Sequence, residues 1–170
     1  MRFGDFLRTA VLLFGAAATA CAIVAVAGAR AADDDSVLYV AAGWWIVATI
    51  IGLWLGRRLT TTPGIATLLA DARTTNTLPE LEPGTVLFNR LWPLIVLGLV
   101  SAVLGFFVPQ VPAIATGYCL LVALLWRHQS RAVEAIEGRD GVEFWLDRSS
   151  PLGRPQLLRL PGLRKIAAEP

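Results

Sequence analysis

The sequence predicts an all-α integral membrane protein: a bundle of four transmembrane helices with both ends in the cytoplasm (N-in, C-in) and a small cytoplasmic layer. Three observations carry that expectation. Apolar side chains make up 55% of the 170 residues and charged ones only 16%, with a mean hydropathy of +0.60, well outside the usual composition of a soluble domain. Four apolar runs approach the roughly 20 residues that cross about 30 Å of hydrocarbon. The basic residues fall almost entirely on one side of the bilayer that four crossings define, the side that positive charge marks as cytoplasmic.

The first run covers residues 7–29, with Arg2 in front of it, Arg8 at its edge, and Thr9 and Thr19 as the most polar members beyond that edge. A secretory signal is the competing reading, because Ala27-Gly28-Ala29 and Ala29-Arg30-Ala31 have the small-x-small cleavage pattern. The run exceeds the roughly 7 to 15 residues of a signal core and three more runs follow, so a retained helix is expected. A lipobox at Cys21 is disfavoured by Ala18, where Leu is normally required.

The second run, 37–56, follows the acidic turn Asp33-Asp34-Asp35 and ends at Arg57-Arg58. The third and fourth, 91–108 and 111–126, are separated only by a turn containing Pro109 and Pro112. They are expected to form a tight antiparallel hairpin, with a re-entrant hairpin as the alternative.

With four crossings, the N-terminus, the 57–90 loop and the 127–170 tail share one side, and fourteen of the fifteen basic residues lie there, Arg30 being the exception. Trp54, Trp92 and Trp126 fall at the same boundary, where an indole is favoured in the headgroup region. Fourteen of the fifteen basic residues are Arg, with Lys165 alone, a bias expected of a GC-rich genome. The expected location is the plasma (inner) membrane of a bacterium.

Lipid tails give helices no hydrophobic reason to associate, so seams are sought where small residues let backbones approach. Gly98, Ser101, Ala102 and Gly105 share one face of the third helix; Gly52 and Gly56 end the second; Gly15, Ala18, Thr19 and Ala22 have the same spacing in the first. These faces are expected to meet within one bundle, a homodimer seam being the alternative. The two halves, each a hairpin ending in Trp and Arg before a cytoplasmic segment, are alike in pattern rather than in residues.

Within the loop, residues 63–73 are expected to form a short amphipathic helix and residues 85–88 a short strand. In the tail, the last helix should continue through residues 127–137 and stop at Gly138; Asp140-Gly141 signals a turn, and residues 142–146 a strand. Beyond them Arg154, Arg159, Arg164 and Lys165 alternate with leucines, a pattern suited to anionic headgroups and equally to a tail that only marks topology. Four scattered basic residues make a poor nucleic-acid footprint, and no nucleic-acid partner is expected.

The chemistry of a catalyst is missing from the pattern. No nucleophile elbow, zincin motif, phosphate loop or dinucleotide fingerprint occurs. His128 is the only histidine and Cys21 and Cys119 the only cysteines, so no metal site or cofactor is expected. The two cysteines lie at similar depth and read as small apolar residues, neighbours if the first and fourth helices touch. Asp33-Asp34-Asp35 reads as a solvated acidic turn in preference to a cation site.

Apart from Arg8 at the edge of the first, the four runs contain no charged residue and no carboxylate, which argues against proton-coupled transport. Trp44 and Trp45 sit deeper than an interfacial belt and need acceptors for their indole N–H groups; core packing is expected there, with a lipid or quinone pocket as the alternative. The function expected is therefore a non-enzymatic scaffold or accessory subunit that binds membrane lipid, another membrane protein or a second copy of itself. The second class is a passive channel or transporter formed by oligomerisation and lined by hydroxyls such as Thr19, Thr49, Ser101 and Thr116.

Overall fold

The computed structural model describes residues 1–57, 61–74, 83–105, 107–146 and 156–161. They form six helices and three strands: α1 Phe3–Ala31, α2 Asp35–Leu55, α3 Pro63–Ala70, β1 Arg73–Thr74, α4 Pro83–Gly105, α5 Gln110–Trp126, α6 Gln129–Asp140, β2 Val142–Leu146 and β3 Leu157–Pro161. The chain is mostly helical, and three helical stretches are long and apolar enough to cross a membrane: Phe3–Ala31, Asp35–Leu55 and Gln110–Asp140. Leu91–Gly105, within α4, is apolar but shorter. The three-stranded sheet is an addition to the all-α expectation.

The chain divides into two compact units. One, here the apolar unit, comprises Arg8–Arg58 and Arg90–His128; the other, the sheet unit, comprises Met1–Leu7, Leu59–Asn89 and Gln129–Pro170. The N-terminus and the loop thus group with the tail.

In the apolar unit, α1 and α2 are joined by a turn of three residues that closes both helix ends. The Asp33 and Asp34 backbone N–H groups donate to the Arg30 and Ala29 carbonyls at 3.2 and 3.1 Å, the double closure of a Schellman motif. Asp33 takes the left-handed conformation (φ 52°) that such a motif requires, and Asp is among the few side chains that tolerate it. Asp34 then caps α2, its carboxylate accepting the Ser36 N–H at 3.1 Å. Arg30 in the last turn of α1 and Asp35 in the first turn of α2 complement the two helix dipoles.

Four boundaries differ from the sequence reading. The helix expected over residues 63–73 ends at Ala70, with Arg73 in β1, and the last span ends at Trp126, with α6 starting anew at Gln129. Residues 85–88, expected as a strand, belong to α4, which begins at Pro83: proline at the first helical position presets the backbone angle and lacks only an N–H that would have no helical partner. The last helix does not stop at Gly138 but runs on to Asp140, where Gly141 (φ 64°) ends it. A glycine weakens a helix interior by about 1 kcal/mol, whereas a left-handed residue terminates it.

The sheet has the order β1-β3-β2, with β1 parallel and β2 antiparallel to β3. The outer edge of β2 is also occupied: Arg2 forms an antiparallel bridge with Trp145, and the Leu146 N–H donates to the Met1 carbonyl at 3.2 Å. Arg2 adds an ion pair with Glu143. Three remote segments are thus hydrogen bonded side by side. Pairing places Leu146 opposite Leu157 and Phe144 opposite Arg159, so the buried Phe144, Leu146 and Leu157 share one face. Buried Gln129 of α6 receives the Thr62 N–H at 3.1 Å, which ties the segment before α3 to the tail.

Glu137 of α6 accepts the Phe144 N–H at 2.9 Å across the Gly141 turn. Burial pushes its carboxyl above the ordinary 4.5; that bond and Arg2 oppose the shift, while Glu143 and Glu134 add to it. A carboxyl whose folded pKa is raised binds more protons folded than unfolded, so its contribution falls as pH rises from 4.5 through the folded value. Glu137→Gln keeps the carbonyl acceptor. Thermal unfolding should show it at least as stable as the parent at neutral pH, with a flatter pH profile above 4.5.

Candidate functional site

The apolar unit is organised around the contact of α2 with α5. Gly52 and Gly56 of α2 lie against Leu121 and Leu124 of α5: a Cβ at Gly52 would fall 2.9 Å from Leu124 Cβ, and one at Gly56 would collide with the Leu124 carbonyl. Toward the start of both helices, two tryptophans take over. The Trp45 indole N–H donates to the Ala113 carbonyl at 2.8 Å and that of Trp44 to the Ile114 carbonyl at 3.2 Å. Trp44 lies over Gly117, where any Cβ would collide with its ring, and meets Tyr118 edge to face with centroids 5.5 Å apart. Contacts advance in the same direction along both helices, so α2 and α5 run parallel.

The acceptors that two deep indoles require are therefore helix carbonyls. Such carbonyls have a second lone pair beyond their own helical bond, so the indoles are satisfied without breaking α5. Ala25 of α1, Ala41 of α2 and Ala113 of α5 form a buried cluster with Trp45 packed against it.

Helix α1 runs antiparallel to α5. Phe14 meets Trp126 edge to face at 6.1 Å, and farther along Ala25 of α1 meets Ala113 of α5 in the buried cluster; Cys21 and Cys119 are both buried. Near the far end of α1, a Cβ at Gly28 would fall 2.7 Å from the Gly105 carbonyl of α4, and one at Gly105 would fall 2.5 Å from Val24 Cγ1.

The small residues singled out from the sequence therefore fall into two groups. Gly52, Gly56 and Gly105 are at close helix contacts, and Ser101 is 1% exposed. Gly15 and Gly98 have open space where a Cβ would stand; Thr19 is exposed and donates to the Gly15 carbonyl at 3.1 Å, and Ala102 is half-buried. The residues not singled out are Ala25, Ala41, Ala113 and Gly117. On α1 the buried face is Ala18, Cys21, Ala25 and Ala29, so the helix is turned away from the Gly15, Thr19, Ala22 side. Reading Cys21 as a small residue in the stripe would have found this face.

Of the tail residues, Arg159 is half-buried in the middle of β3, paired with Phe144 on one side and Thr74 on the other. Arg154, Arg164 and Lys165 lie outside the described residues. The hydroxyls of Thr19 and Thr116 both donate to carbonyls four residues earlier in their own helices. Among the described residues no three His, Cys, Asp or Glu side chains gather to hold a metal ion.

At the start of α2 and α5 a groove of about 430 Å³ opens. Val37, Val40, Ala41, Ala113 and Ile114 line its apolar length with Trp44 at the inner end, and Asp34, Ser36 and Gln110 are its polar residues. No family model, curated protein or solved structure matches the chain.

Gly117→Ala should displace Trp44 and destabilise the protein by about 1–3 kcal/mol, the usual effect of overpacking. Gly98→Ala, in open space, should be neutral or stabilising by up to about 1 kcal/mol. Thermal unfolding in detergent, with tryptophan emission reporting on the indole, distinguishes the two.

Proposed function

We propose that the protein is a four-span, non-enzymatic scaffold or accessory subunit of the plasma membrane that presents the sheet unit at the cytoplasmic face and binds lipid or another membrane protein through its helices. The observation that carries the reading is the apolar unit itself, whose helices leave large side chains such as Leu12, Ile23, Val40, Ile50, Leu99 and Val103 exposed. Contiguous apolar surface on this scale marks a lipid or protein contact.

The topology draws its support from the sheet. Met1, Arg2, β1 and β3 are held by backbone hydrogen bonds, which cannot form across about 30 Å of hydrocarbon. Each apolar excursion between those segments must therefore return to its starting side: α1 with α2, and α4 with α5. These hydrogen bonds alone call for that return, in agreement with the placement of the basic residues. It also supports retention of α1, since cleavage after residue 29 or 31 would remove the strand partner of β2.

Single thiols in a background without Cys21 and Cys119 test the topology. Exposed Ala32→Cys should label from outside intact cells, whereas Gly138→Cys, also exposed and with open space at its Cβ, should label only after the membrane is opened. Labelling of Ala32→Cys from the cytoplasm alone overturns the orientation. Native mass spectrometry of gently extracted protein tests the function: a stoichiometric companion protein or retained lipid supports the reading, and a bare protein that conducts ions in bilayers sinks it.

A further inference from the structure

The groove between α2 and α5 is graded along its length. Asp34 caps α2 and Ser36 and Gln110 lie in the first turns of α2 and α5, so the polar end lies where both helices start. From there to Trp44 the groove follows α2 for ten residues, about 15 Å at 1.5 Å per residue, between apolar side chains. That grading matches a lipid that enters its chain between the helices and leaves its headgroup at their ends.

The charges at the polar end select the head. Asp33, Asp34 and Asp35 stand against one guanidinium, Arg30. The Ser36 side chain, which donates to Asp34 at 2.5 Å, and the Val37 and Ser36 backbone N–H groups hold the Asp34 carboxyl below its ordinary range, so it remains ionised at neutral pH.

We propose that this groove holds one acyl chain of an amine-headed phospholipid, with the ammonium group toward Asp34 and its acidic neighbours. The inference rests on the lipid-binding part of the proposed function and adds the headgroup class and the place. The source is the surrounding bilayer. A protein helix is disfavoured because the walls on α5 extend over only its first turn, Gln110 to Ile114.

The test is native mass spectrometry of the delipidated full chain titrated with dioleoyl phosphatidylethanolamine or dioleoyl phosphatidylglycerol. The parent should retain one phosphatidylethanolamine with an affinity at least about fivefold above that for phosphatidylglycerol, a difference of about 1 kcal/mol. Asp34→Asn keeps a competent helix cap and should abolish that preference. Val40→Trp fills the groove from a position that is 74% exposed and should weaken phosphatidylethanolamine binding by about tenfold or more; Val103→Trp, on exposed α4 surface, should leave it unchanged. Phosphatidylglycerol bound as tightly as phosphatidylethanolamine by the parent overturns the headgroup inference while leaving a lipid-binding scaffold standing. Equal binding by Val40→Trp and Val103→Trp overturns the site. Retention of neither lipid by a parent that still unfolds cooperatively overturns both this inference and the lipid-binding part of the proposed function.

Discussion

Strand β3 needs partners on both of its edges, and it finds them in segments that the chain brings back from far away. A buried peptide group without a partner costs as much as a lost hydrogen bond, so the short β1, the longer β2 and the Met1–Arg2 edge are held as one set. None would be stable alone: a two-residue strand has too few bonds, and an isolated hairpin is marginal in water. The Asp33 turn and the Pro109 turn are the places where the chain reverses, and each is short because its helix ends are closed by local bonds.

Within the apolar unit, spacing is decided by where side chains are absent. Gly52 and Gly56 let α2 approach α5 so closely that a methyl group would not fit, while Trp44 and Trp45 stand between the same two helices nearer their starts. The groove opens at that end, between the starts of the two helices. Its inner end is rigid, because Trp44 is fixed at once by the Ile114 carbonyl, by Gly117 beneath it and by Tyr118 at its edge.

The polar residues at the groove mouth belong to the same economy of local bonding. Asp33 supplies a left-handed backbone, Asp34 a helix cap, and Asp35 a carboxylate in the first turn of α2. An acidic run that reads as a mere solvated turn is thus a structural joint, and its charge is left at the place where the two parallel helices begin.

Periodicity and composition were enough to identify α1, α2, α4 and α5 as apolar helices, the turn at Asp140-Gly141, the strand at residues 142–146 and the need of two indoles for acceptors, because those properties are written in residues a few positions apart. The faces of the helices were not. Gly15, Thr19 and Gly98 satisfy the small-residue pattern as well as Gly52, Gly56 and Gly105 do, yet open space lies beside Gly15 and Gly98; a stripe says that a helix can be approached, not that a neighbour comes. The pairing of Arg73 and Thr74 with β3, the docking of Met1 and Arg2 on β2, and the choice of Gly117 as the seat of Trp44 depend on residues far apart in the chain. Tertiary structure alone decided them, since sequence-local preferences are nearly equal among alternatives that only the surrounding contacts separate.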